Sequence, residues 1–308
     1  MIAELLKEIS SQGNYGAAVP FSRVDSIKQD MIDIKNGTFH TNIHDRMINH
    51  TLDESEPYLP EVMDFEPRSL ISVIMPCFEQ TVQFDYRGKT VSCRVPPLYT
   101  GWDERNENSL QYLSDFLRPL GYSVAIAKRF PQKLLAAHCG LGKYGRNNIF
   151  YSEEFGSHLH IMTFVSDLPC DETTWLPLSR MDRCEECSVC TKACPTAAID
   201  PGRRLIDTDR CLTFYNEYPG EFPEWIEKDA HNSLFGCIRC QDFCPANAHN
   251  KGNVITGFRF TEAETEELLE NKGEEPFSDA LSNRLREAGL SPDFTGYLPR
   301  NLAVLLLA

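Results

Sequence analysis

Apolar and polar positions along this chain change period from segment to segment, and each change predicts an element. Leu70 to Phe78 (LISVIMPCF) is a β-branched, apolar run that suits a buried strand, and Val91 to Val95 is a shorter strand candidate. Leu110, Leu113, Leu117 and Leu120 recur at helical spacing after Asn106 and Asn108, with Pro119 and Gly121 marking the end. Ile2 to Ile9 reads as a short amphipathic helix, and Pro131 to Cys139 as another, followed by a Gly-rich turn. Ile149 to Ser152 and His158 to Val165 then read as a hairpin about a turn through Glu153 to Ser157. Further on, Thr261 and Glu264 make a capping box for a helix that runs to Lys272 and is closed by Gly273. Asp279 to Ala288 is a last amphipathic segment before an apolar C-terminus, whereas Glu79 to Arg105 carries few signals. Up to about Pro169 the order of elements is that of a mixed α/β unit.

Cysteine spacing changes the picture from fold to chemistry. Cys184, Cys187, Cys190 and Cys194 stand in the pattern C-x2-C-x2-C-x3-C-P; Cys211 follows alone, and Cys237, Cys240 and Cys244 repeat C-x2-C-x3-C-P. A [4Fe–4S] cubane needs four thiolates, and such a run wraps three onto one cluster while its Pro-ended turn aims the fourth at the other. Crossing the fourth cysteines leaves none over. Cluster one takes Cys184, Cys187, Cys190 and Cys244; cluster two takes Cys194, Cys211, Cys237 and Cys240. A pair of zinc sites is the competing reading, but zinc ribbons lack the third cysteine at x2 and the trailing Cys-Pro. The remaining cysteines, Cys77, Cys93, Cys139 and Cys170, have no partner at ligand spacing and read as buried free thiols, Cys139 lying beside the Gly-rich turn.

At 308 residues with 42% hydrophobic content, the chain can bury a sizeable core beyond a ferredoxin-like module of about 70 residues. The division expected is an α/β corrinoid or substrate domain over 1–170, a double-cluster domain over 171–250, and a C-terminal helical segment over 251–308 that packs back on the core. No apolar run approaches the ~18 residues of a membrane helix. Met1 opens directly on an amphipathic helix with no leader pattern, and so many thiols suit a reducing compartment, so a cytoplasmic location is expected. The formal charge is −15, from 45 acidic and 30 basic residues, which disfavours free nucleic acid as a partner. Lys128-Arg129 and Arg203-Arg204 are short basic pairs that read as solvated surface.

Gly140-x-Gly142-x-x-Gly145 matches the dinucleotide fingerprint as a string, yet a helix rather than a strand precedes it, which argues against a nicotinamide site. Two readings stay open. One is a close-approach turn whose backbone amides reach a flat or anionic cofactor lined by Arg146, Asn147 and Asn148; the other is a plain helix-to-strand turn.

Together these residues resemble the epoxyqueuosine reductase family. The resemblance is carried by Gly140 to Asn147, the Gly156-Ser157 turn, Ser166 to Pro169, Asp209-Arg210-Cys211, Phe235 to Asn247 with its cysteines, and Leu298-Pro299-Arg300-Asn301, and covers roughly residues 60 to 308. It implies a nitroreductase-like α/β domain joined to a bacterial ferredoxin-like double [4Fe–4S] domain, a layout shared with reductive dehalogenases. It also implies a base-off cobalamin as third cofactor, with Gly140, Gly142, Gly145, Arg146 and Asn147 at the cofactor site. A low-potential ferredoxin- or flavodoxin-type protein would donate electrons; a small molecule, another protein's corrinoid, or tRNA would be the substrate.

Departures from the family bear on that substrate. Family members carry an acidic residue in an Asp-x-x-Pro segment shortly before the Gly-rich turn, where it looks like the proton donor for epoxide opening; here the segment is Ala125-Ile126-Ala127-Lys128-Arg129-Phe130-Pro131. The family's Arg-Gly-Arg-Asp-Tyr-His-like stretch is replaced by Phe84 to Trp102, and the C-terminal helical-repeat extension of some members is missing. The chain therefore reads as a divergent paralogue: an iron-sulfur oxidoreductase passing electrons through two clusters to a corrinoid and an electrophile. The alternatives are a tRNA epoxyqueuosine reductase and a plain electron carrier. No catalytic residue is assigned, and Lys128, Tyr144, Tyr215 and His158 are proton-donor candidates by position; His160, in an apolar strand, reads as a core or edge residue.

Overall fold

In the computed structural model, which describes residues 1–37, 63–171, 174–203, 205–271, 276–290 and 296–307, the apolar runs fold as strands and the 3.6-period segments as helices. In chain order these are α1 (Ile2–Ser11), β1 (Tyr15–Pro20), α2 (Arg23–Lys35), β2 (Ser69–Pro76), β3 (Glu79–Tyr86) and β4 (Lys89–Val95). Next come α3 (Trp102–Leu117), β5 (Val124–Ile126), α4 (Gln132–His138), β6 (Lys143–Tyr144), β7 (Phe150–Tyr151) and β8 (Leu159–Ser166). The cysteine region adds the short helices α5 (Val189–Ala193), α6 (Leu212–Asn216) and α7 (Arg239–Asp242). Then follow β9 (Val254–Phe260), α8 (Glu262–Glu270), α9 (Asp279–Glu287) and α10 (Leu298–Leu307).

The chain divides into two units that interleave in sequence. Unit 1 comprises Met1–Pro76, Glu104–Cys187 and Arg203–Leu205; unit 2 comprises Cys77–Asp103, Ser188–Gly202 and Ile206–Ala308. Unit 2 thus draws residues 77–103 from within the stretch that the sequence grouped as one α/β domain.

In unit 1 a four-stranded sheet runs in the order β1-β2-β8-β5, with every pairing antiparallel. Its two central strands are buried on both faces, as their unbroken apolar character demands. Ile71, Val73 and Met75 of β2, with Met162 and Phe164 of β8, face Leu5 and Ile9 of α1 and Leu113 and Leu117 of α3. The alternate residues Leu70 and Val165 face Ile27 of α2 and Leu134 and Leu135 of α4. The sheet is therefore the middle of three layers.

Unit 2 is built on a second sheet, β4-β3-β9, in which β3 pairs antiparallel with β4 and parallel with β9. Phe84 and Phe260 stack at 5.1 Å across it, and Leu268, Leu281, Leu285, Leu298 and Leu302 from the C-terminal helices close its core. The capping box forms as expected, Thr261 Oγ1 accepting from Glu264 N–H and Thr261 N–H donating to Glu264 Oε2, so α8 starts where the sequence placed it.

Several expectations need correction. The helix before Gly121 begins at Trp102, so Asn106 and Asn108 lie within it rather than ahead of it, and Asn106 Oδ1 meets His160 Nε2 at 2.8 Å. The hairpin of Ile149–Ser152 with His158–Val165 does not form. β7 pairs back on β6 (Lys143↔Tyr151, Tyr144↔Phe150), while β8, apolar on both faces, lies between β2 and β5. The weak stretch Glu79 to Arg105 holds a strand that had no signal, β3, while the strand expected at Val91 to Val95 forms as β4 and starts two residues earlier, at Lys89. Lys272 and Gly273, given as the end of α8, lie outside the described residues, as does Arg204; the helix closes at Asn271.

Candidate metal centre

The four cysteines expected to hold cluster two, Cys194, Cys211, Cys237 and Cys240, all belong to unit 2. Cys194 ends the α5 turn, with Pro195 preventing its continuation, and its Sγ accepts the N–H of Ala198 at 3.3 Å. Cys237 Sγ accepts from Asn232 Nδ2 at 3.2 Å, and Asn232 Oδ1 in turn accepts Ile238 N–H at 3.0 Å, which locks the amide in place. Burial, followed by the nearby Cys237 and Cys194, pushes the Cys211 thiol up to about 11; burial likewise raises Cys237, with Cys194 adding to it. The sulfurs of Cys194, Cys211 and Cys237 are thus near enough to act on one another, and two of them already receive N–H donors of the kind that stabilise thiolate ligands. The donor set fits a [4Fe–4S] cluster.

The four cluster-one cysteines are split along the chain: Cys184 and Cys187 end the second segment of unit 1, and Cys190 and Cys244 belong to unit 2. Cys190 lies in α5 and Cys244 just beyond α7, two short helices that pack against each other, and Asn247 N–H donates to Cys244 O at 2.9 Å. Among the described residues, no three His, Cys, Asp or Glu side chains converge on the point a single ion would occupy; a cubane, which offers its irons at separate corners, needs no such convergence.

The loops are held by residues the sequence quoted without a role. Asn301, 1% exposed, donates from Nδ2 to Asn216 O and Leu234 O, each at 2.8 Å, and Arg300 donates to the carbonyls of Tyr215, Tyr218 and Gly220. The tail motif Leu298-Pro299-Arg300-Asn301 is thus a clamp on the chain between Cys211 and Cys237. Arg94 of β4 makes paired contacts to Glu79 (2.5 and 2.7 Å) and to Asp242 of α7 (2.7 Å each), anchoring the helix that carries Cys240. Asn232 and Arg94 carry no sequence signal, because neither stands at a spacing tied to the cysteines.

The Gly-rich turn is not an open cradle. A Cβ on Gly142 would meet Tyr151 O at 2.2 Å and the Phe150 ring at 2.6 Å, and one on Gly145 would meet Asn147 Oδ1 at 2.5 Å; the protein itself fills both. Gly140, at φ +76°, turns the chain out of α4 against Leu176. Asn147 is buried and bonded to Tyr151 OH at 2.9 Å. Arg146 reaches the carbonyls of Cys184, Glu185 and Cys187. These five residues serve the protein's own structure and do not fit as a corrinoid cradle, so no step below passes through one.

Proton-donor candidates separate by environment. Lys128 and Arg129 are exposed at the turn after β5, and His158 is buried. Tyr215 OH donates to Asp209 O at 2.7 Å, and burial, then Asp209, raises its phenol above the ordinary value. His160 is fully buried; burial, then Arg105, lowers its pKa to about 3, which makes it a neutral core residue at pH 7. Burial raises Cys93 and Cys139 to about 12, so both are protonated thiols.

The 4Fe-4S double cluster binding domain family matches residues 183–247, from just before Cys184 to just beyond Cys244. The epoxyqueuosine reductase of Pseudomonas aeruginosa is 32% identical over 178 residues, covering 56% of this chain and 47% of that protein. That of Bacillus subtilis is 27% identical over 144 residues, covering 45% and 36%. The chain is a relative of the epoxyqueuosine reductases. It spans about a third to a half of the length of these curated relatives. Among solved structures, epoxyqueuosine reductase from Streptococcus thermophilus aligns with a TM-score of 0.64 at 18% identity, over 99% of this chain and 80% of that one. The Bacillus subtilis enzyme, captured with its catalytic Asp loop swung out of the active site, gives 0.63 at 18%. At that identity the match establishes the epoxyqueuosine reductase fold: mixed α/β with a double-cluster domain.

Proposed function

We propose that the protein is an iron-sulfur reductase that takes single electrons from a low-potential donor and delivers them to an electrophilic substrate. The observation that carries this is the set of N–H donors on the sulfurs of Cys194 and Cys237, next to Cys211, in a loop system matched by the double-cluster family. Once held by the eight cysteines, the clusters supply one-electron transfer at a potential set by hydrogen bonds, burial and local charge. The chain's own residues do the rest. Arg300 and Asn301 fix the loop geometry, Asn232 and Ala198 stabilise thiolate charge, and the packed core of unit 2 excludes water from the backs of the loops.

Epoxyqueuosine in tRNA is the substrate favoured by the relatives' names, and one solved relative holds an epoxyqueuosine-modified tRNA stem loop. Against it stand the charge of −15 and the exposed Lys128-Arg129 where the family has its acid. Cobalamin rests on the resemblance alone. The deciding experiment offers the reconstituted, reduced protein an epoxyqueuosine-bearing stem loop and, separately, cob(II)alamin. Conversion of the nucleoside assigns the tRNA reaction. A base-off paramagnetic signal without conversion assigns a corrinoid reductase with another electrophile, and inert clusters that accept no electron overturn the reductase reading itself.

A further inference from the structure

We propose that Arg146 is the positioning residue of the first cluster: its guanidinium fixes the Cys184–Cys187 loop and supplies the positive charge that sets how readily this centre takes an electron. The inference rests on the reading that the clusters are redox-active. It assigns to the Gly-rich turn a role other than cradling an anionic cofactor.

Arg146 sits on the turn between β6 and β7, and that turn is stiff. Gly145 N–H donates to Ile149 O at 2.7 Å and Asn148 N–H to Gly145 O at 3.1 Å, with Asn148 in the left-handed region at φ +62°. Asn147, 3% exposed, closes it from within: its Oδ1 accepts Ile149 N–H at 3.3 Å and its Nδ2 donates to Tyr151 OH. The glycines at 142 and 145 let β6 and β7 close onto each other.

From this base Arg146 donates through Nε to Cys187 O at 3.0 Å, and through Nη2 to Cys184 O and to Glu185 O at 3.2 Å. β6 holds the approach to the same loop: Tyr144 N–H donates to Ser179 O at 3.2 Å, Met181 N–H to Tyr144 O at 2.8 Å, and Lys143 Nζ pairs with Asp182 at 2.9 Å. Three carbonyls could be satisfied by any donor of the right length. A guanidinium adds a permanent charge beside the backbone of two ligand cysteines. Reduction adds a negative charge to the cluster, so a fixed cation nearby favours the reduced state and raises the potential.

The test compares the whole protein with Arg146→Gln, which keeps a donor and loses the charge, and Arg146→Lys, which keeps the charge. Iron content is measured first, then a redox titration followed by paramagnetic resonance, with Asn232→Ala used to mark the cluster-two signal. Arg146→Gln is expected to lower the midpoint of the other signal so that its reduced-to-oxidised ratio at fixed potential falls about tenfold, which is about 59 mV for one electron. Arg146→Lys should keep most of it, and cluster two should not move. Loss of the first cluster's iron from Arg146→Gln but not from Arg146→Lys also supports the charge role. Unchanged midpoints at full iron content, equal shifts of both signals, or iron loss in both variants would overturn it. If neither cluster is reducible even in the unsubstituted protein, it is the reductase reading that fails.

Discussion

At Cys237 the sulfur accepts a hydrogen bond from a side chain five residues earlier: Asn232 Nδ2 reaches it at 3.2 Å while its own oxygen is held by Ile238 N–H. An N–H donor stabilises the more negative, reduced centre. Asn232→Ala should therefore lower the cluster-two midpoint with iron content unchanged, as a redox titration would show; an unmoved midpoint would mean that the bond does not persist in the loaded protein. A second residue effect concerns Glu217, whose carboxyl is bonded to buried Tyr99 and whose pKa is pushed by burial up to about 6. A carboxyl raised above its unfolded value favours the folded state fully at low pH, and the advantage is lost as pH rises from about 4.5 through about 6. Glu217→Gln removes that loss, so the variant should gain up to about 2 kcal/mol relative to the parent between pH 4.5 and pH 7. Thermal unfolding across that range checks it, and parallel curves would contradict it.

Among the elements, the strong periodic ones were legible and the ones built by tertiary contact were not. β2 announced itself through unbroken apolar character, and α8 through Thr261 and Glu264, because those signals come from burial and capping chemistry local to the segment. β3 was hidden and β4 was legible only over Val91 to Val95, since Gln80, Thr81, Gln83, Thr90, Ser92 and Arg94 are interspersed with the buried Val82, Phe84, Cys93 and Val95, and only a sheet with one face on a core makes sense of so polar a run. The mistaken hairpin has the same origin: turn residues at 153–157 were visible, but β8's partners β2 and β5 lie far away in sequence. Gly142→Ala tests the β6–β7 close approach. Its Cβ would overlap Tyr151 O, backbone that cannot yield cheaply, so the substitution should destabilise the protein by about 2 kcal/mol or more in denaturant unfolding. Asn301→Ala tests the tail clamp: two buried carbonyls lose their donor, costing about 1–3 kcal/mol each, and cluster-two iron should be released at lower denaturant than in the parent.

For the whole molecule, two units take turns along one chain, and of the eight cysteines in the cluster spacing two end a segment of unit 1 and six belong to unit 2. Among the described residues no helix is long and apolar enough to cross a membrane. The double-cluster region was legible because one loop wrapping a cubane favours short, regular cysteine spacings, and the double-cluster family matches it over residues 183–247. It was illegible where the fold supplies the partners: Arg146 lay within a motif that suggested a cofactor cradle and turned out to hold a cysteine loop. Removing the metal should accordingly loosen more than the cysteine loops, because Arg300, Asn301 and Arg94 tie those loops to the core of unit 2. Anaerobic reconstitution followed by iron and sulfide analysis and paramagnetic resonance of the dithionite-reduced protein tests the central claim most directly. The account predicts about eight irons per chain and two reducible cubane signals, falling to about four irons when Cys237 is replaced by Ser. Two zinc ions per chain with no reducible signal would contradict it.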